Sequence, residues 1–75
     1  MDRLRRMAVF AEVVEAGSMT AAGERLSMSA SAVRQQVRAL ERQLGTTLLH
    51  RSTRKLTLTE AGMRFHAGCA EMLAA

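Results

Sequence analysis

Ser31, Arg34, Gln35, Arg38 and Arg42 stand at i, i+3, i+4, i+7 and i+11, the spacing of one face of an α-helix. A guanidinium can fork onto the O6 and N7 edge of guanine, and a carboxamide onto the N6 and N7 edge of adenine. Hydroxyl and guanidinium groups can also donate to phosphate oxygens. No carboxylate shares this face, whereas a helix that is merely solvated usually mixes signs. The pattern therefore points to base reading by Ser31, Arg34, Gln35 and Arg38, with Ala30 at the start of the same helix and Arg42 nearer a phosphate. Opposite them Val33, Val37, Leu40 and Leu44 make a narrow apolar stripe, which predicts a helix from about Ala30 to Leu44 that stops at Gly45. Glu41 falls off the polar face and is expected to pair with a neighbouring arginine.

Other chemistry is thinly represented. His66 and Cys69 lie at i, i+3, but two ligands do not close a zinc site. No metal is expected, and Cys69 reads as a small apolar residue. Ser18, Ser27, Ser29, Ser31 and Ser52 have no His–Asp pair to activate them. The carboxylates are scattered, and there is no glycine-rich phosphate loop. The chain is not expected to be an enzyme or to hold a cofactor.

The elements that must position the basic face are legible on either side of it. Asp2 can cap a first helix with Leu4, Met7, Ala8, Ala11 and Val14 at helical spacing, Phe10 and Val13 beside them, and Gly17 as its stop. Ser18 reads as the N-cap of a short second helix carrying Met19, Ala21, Ala22 and Leu26. Gly23 within it is either a close backbone approach or a weak spot. Ser27, Met28 and Ser29 form a tight turn into the third helix. After Gly45 the period changes: Leu48-Leu49 and Leu56-Thr57-Leu58-Thr59 read as two short strands joined by a basic polar turn. Thr59 caps a last helix, whose stripe of Ala61, Phe65, Gly68 and Met72, with Cys69 beside it, runs to the last residues without a C-cap. A fragment of a longer protein is the expectation.

Composition agrees with this outline. The chain has 75 residues, enough for one small domain, and one cysteine, too few for a disulfide framework. Its apolar fraction of 48% excludes a disordered chain. No uncharged run approaches the length of a membrane span, and Glu12 and Glu15 interrupt the apolar stretch near the start, so neither a span nor a signal peptide is expected. A cytoplasmic protein fits. The net charge of +4 is unevenly spread: residues 25–55 carry Arg25, Arg34, Arg38, Arg42, Arg51, Arg54 and Lys55 against Glu41 alone. That is the footprint of a nucleic-acid binder. A DNA-coating architectural protein remains an alternative. A helix-turn-helix used only to bind protein is less consistent, because its face would carry Leu, Phe or Met.

A short helix, a tight turn, a helix with a basic polar face and a basic hairpin together make a winged helix-turn-helix. The run FAEVVEAGSMTAAGERLSMSASAVRQQVRALERQLGTTLLHRSTRKLTLTEAG also resembles the N-terminal DNA-binding domain of LysR-type transcriptional regulators. Gly17-Ser18, Ala21-Ala22, Leu26, Ser29, Ala32-Val33, Leu40-Glu41, Leu44-Gly45, Leu48, Arg51, Leu58-Thr59 and Ala61-Gly62 carry the likeness. The resemblance implies a mainly α fold: a winged helix-turn-helix over 1–58, with three helices and a short two-stranded wing, then a linker helix over 59–75. It implies a bacterial regulator whose larger effector-binding domain is absent from this chain. Two linker helices would pair antiparallel through Ala61, Phe65, Gly68, Cys69 and Met72, and the dimer, often within a tetramer, would bind a pseudo-palindromic operator in double-stranded DNA. Arg54 takes the family's minor-groove role. Ser18, Thr20, Ser29, Arg42, Arg51, Thr53 and Lys55 are expected at the DNA backbone or beside that groove. The chain departs from the family in its reading helix. Ala30 and Ser31 stand where Gln and Pro are common, and Arg34 and Gln35 where Ser and Arg are common. Its base preference is therefore expected to differ. Met19 and Leu49 replace common aromatics, a packing change.

Overall fold

The computed structural model describes residues 2–50 and 56–74. Four helices follow in order: α1 (Arg3–Ala16), α2 (Met19–Leu26), α3 (Ala30–Leu44) and α4 (Glu60–Ala74). Their starts are set by side-chain caps. The carboxylate of Asp2 accepts from the Arg5 N–H at 2.8 Å, Ser18 Oγ from Ala21 N–H at 3.0 Å, and Ser29 Oγ from Ala32 N–H at 3.0 Å. Each satisfies one N–H that the helix cannot pair internally. Gly17 and Gly45 end α1 and α3 in the left-handed conformation, at φ 86° and 70°.

The α2–α3 turn is tighter. Ser27 adopts φ 56°, the single positive φ at a non-glycine residue among those described. Met28 N–H then reaches back to Gly23 O at 2.8 Å. A Cβ on Gly23 would collide with the Met28 carbonyl oxygen. Of the two readings of Gly23, close backbone approach is therefore the one that holds.

The core lies where α1 crosses α2, α3 and α4. Phe10, Val13, Ala22, Val33, Leu40 and Leu48 have no exposed surface, and Val37 and Cys69 almost none. The stripe foreseen on α3 is the observed one, with Leu44 packed at its edge. The face foreseen on α1 is shifted. Leu4 is 54% exposed, while Met7, Val9, Phe10, Ala11 and Val13 are buried. A helix gripped by three others buries a wider arc than one stripe, and its first turn projects beyond them.

After α3 the chain does not build two strands among the described residues. Leu49 and Leu58 form one antiparallel bridge, flanked by His50 N–H to Thr57 O and Thr59 N–H to Leu48 O, both 3.0 Å. Leu48 and Leu49 are both buried beside this bridge. The basic turn with Arg51, Thr53, Arg54 and Lys55 lies outside the described residues.

Candidate nucleic-acid interface

α3 is held by its apolar side and presents its polar side. Val33 and Leu40 are completely buried and Val37 is 2% exposed. Ser31, Arg34, Gln35, Arg38 and Arg42 are all exposed, and Ala30 is half-buried at the helix start. The five polar side chains foreseen from spacing therefore leave one rigid element on one side. Arg34 and Arg38 also rim a cleft of about 150 Å³ between α3 and the bridged segment, with Met19, Val37, Leu49, His50 and Leu56.

The expected backbone contacts at α2 and the turn have a local task as well. The oxygens of Ser18 and Ser29 are engaged as helix caps. A hydroxyl that accepts in this way still has its own O–H to donate. Thr20 is exposed in the first turn of α2. Arg25 Nη1 meets Glu12 Oε1 at 3.2 Å and ties α2 to α1.

Two features were not foreseen. The first is Glu41. Its residue is 7% exposed, and Oε2 accepts from the backbone N–H groups of Leu48 at 2.7 Å and Leu49 at 3.3 Å. A charge at the last turn of α3 thus fixes the start of the bridged segment against the reading helix. Its position off the polar face was legible. Its backbone acceptance was not, because those N–H groups carry no side-chain signature. The second is a hydrogen bond between the helices, Arg6 Nε to Gln36 Oε1 at 3.1 Å.

The proposed dimer residues divide. Cys69 is 1% exposed, packed in the chain's own core, and Phe65 lies 5.8 Å from Phe10 between ring centroids, tilted at 53°. An open seam does not fit the buried Cys69, whereas Phe65 packs on the core and keeps part of its surface. Gly68 and Met72 are exposed, and Ala61 is half-buried. Burial pushes the Cys69 thiol above its ordinary value of 9.0.

A capped helix, a three-residue turn and a second helix with a sealed apolar side and an open basic side define a helix-turn-helix protein. The sequence profile described as "Bacterial regulatory helix-turn-helix protein, lysR family" matches residues 4–63. The chain belongs to this family. It is 55% identical over 73 residues to the HTH-type transcriptional activator AaeR of Escherichia coli K12, covering 97% of this chain and 24% of that protein. A transcriptional repressor of Pseudomonas aeruginosa is 44% identical over 73 residues, 97% of this chain and 23% of its own length. The chain thus spans about a quarter of the length of such relatives. Among solved structures, the DNA-binding domain of CbnR in complex with DNA superposes with a TM-score of 0.87 at 40% identity, covering 99% of this chain and 84% of that one. The BenM domain bound to its benA site gives 0.92 at 32% identity, covering 99% and 82%.

Proposed function

We propose that the chain is the sequence-specific DNA-binding part of a bacterial transcriptional regulator, with α3 lying in the major groove. The observation that carries this reading is the joint exposure of Ser31, Arg34, Gln35 and Arg38 on a helix whose other side is buried. The major groove is about 12 Å wide and admits one α-helix. The CbnR and BenM domains, which superpose on this chain, are solved in complex with DNA, and that supports a DNA-binding reading. In this reading Arg34 takes guanine and Gln35 adenine. Arg42, Ser18, Thr20 and Ser29 hold phosphates, and Arg54 enters the minor groove beside Arg51, Thr53 and Lys55.

Residues 1–58 read DNA and residues 59–75 join two copies, using the surface of α4 that α1 leaves open around Gly68 and Met72. The whole regulator works in the cytoplasm as a dimer or a tetramer on a pseudo-palindromic operator, and a further domain binds a small effector. No helix of the described residues is long and apolar enough to cross a membrane.

Selection from randomised duplexes, followed by anisotropy titration, tests the reading. A regulator of this kind binds its selected site about 10³-fold or more above random DNA at equal salt. A flat preference would make the chain an architectural DNA binder. Absence of any salt-sensitive DNA affinity would leave only a protein-interaction module.

A further inference from the structure

The first turn of α1 brings Arg3, Arg5 and Arg6 together, with no acidic residue inside the helix there. Cations at this end oppose the helix macrodipole. Among the described residues no carboxylate pairs with any of the three; the ion pairs are Arg25–Glu12 and Arg64–Glu60.

Arg6 is also held in place. Its Nε donates to Gln36 Oε1 at 3.1 Å, a part-buried bond from α1 to α3. Gln36 is neutral, so the charge of Arg6 is not cancelled. Among the described residues the two Nη groups have no protein acceptor, and they remain available as donors. Gln36 directly follows Gln35 of the reading face. At helical spacing Ala39 and Ala32 fall between them. Two methyl side chains keep this flank of α3 low, and Glu41 with the bridged segment lies on the other flank.

We infer that Arg6, fixed against α3 by Gln36, is a further contact to the phosphodiester backbone of duplex DNA. It grips the strand that runs along the Ala32–Ala39 flank, and the inference rests on the placement of α3 in the major groove. A guanidinium anchored through Nε presents both Nη groups as one fork, the geometry that suits a phosphate. The contact is blind to sequence, because it never reaches a base edge.

Anisotropy titrations of the selected and a scrambled duplex, between about 50 and about 200 mM salt, test it, with circular-dichroism melts to verify folding. Arg6→Gln is expected to weaken both duplexes by the same factor. Loss of one phosphate contact in each of two bound copies lowers the salt slope by about 1.8, so the gap to the wild type narrows by about 12-fold over that salt range. Arg6→Lys, which keeps the charge, restores most of the slope. A wild-type slope for Arg6→Gln, or an Arg6→Lys as defective as Arg6→Gln, would overturn the inference and reduce Arg6 to packing against Gln36. A wild-type chain that binds neither duplex sinks the reading of α3 itself, which these Arg6 outcomes leave standing.

Discussion

At the scale of single residues, the exposed donors of α3 and the buried carboxylate beside them do opposite work. Arg34→Ala or Gln35→Ala is expected to relax base preference at one position by roughly 1–3 kcal/mol if the contact is bidentate, read by competition among single-base variants of the selected site. Equal losses on every sequence would reassign the residue to a phosphate. Glu41→Ala should act on folding, because it strips the acceptor from the Leu48 and Leu49 N–H groups. A loss of about 2–3 kcal/mol in urea unfolding is expected. Cys69 gives a pH signature. Its thiol is raised above 9.0 by burial, so the folded state keeps a proton that the unfolded state sheds. The stability this contributes is full below the unfolded pKa and is lost as pH climbs through the folded one. Unfolding midpoints at rising alkaline pH should therefore fall less in Cys69→Ala than in the parent. Residue types and spacing made the donors legible. The partners of Glu41 are main-chain groups seven and eight positions on, and nothing in side-chain pattern announces them.

At the scale of elements, helices were easier to read than their packing. Asp2, Ser18, Ser29 and Thr59 are cap residues in sequence and caps in the fold. The α3 stripe could be read because one side of that helix meets the body. The α1 face could not be narrowed in the same way, since α2, α3 and α4 all contact it. Among the described residues the two strand segments meet in one bridge, Leu49 to Leu58, and the turn between them lies outside those residues. Val37→Ala should remove about 2 kcal/mol of stability through the cavity it leaves, with base preference unchanged on the folded fraction. Gly62 lies where a Cβ would strike the Leu48 carbonyl. Gly62→Ala is expected to destabilise by roughly 1–3 kcal/mol despite its better helix propensity, seen as a lower thermal midpoint.

At the scale of the molecule, dimensions decide how the chain can work. The described body measures 26 × 25 × 20 Å. Successive major-groove turns on one side of DNA are about 34 Å apart, so one copy presents one reading helix to one turn. Two copies on a pseudo-palindrome are expected, and light scattering with the selected duplex should give two chains per site. One chain per site at saturation would remove the dimer. The basic middle of the chain was visible from the placement of its arginines along the sequence. The use of Phe65 and Cys69 inside the fold was not, because an apolar stripe does not say which neighbour covers it.

The junction at Thr59 has a mechanical meaning. Its Oγ1 donates to the Thr47 carbonyl at 2.7 Å and accepts from the Gly62 N–H at 2.9 Å, while Gly62 sits against Leu48. No slack hinge separates α4 from the bridged segment. A displacement of α4 would therefore load Leu48 and, through the Glu41 carboxylate, the end of α3.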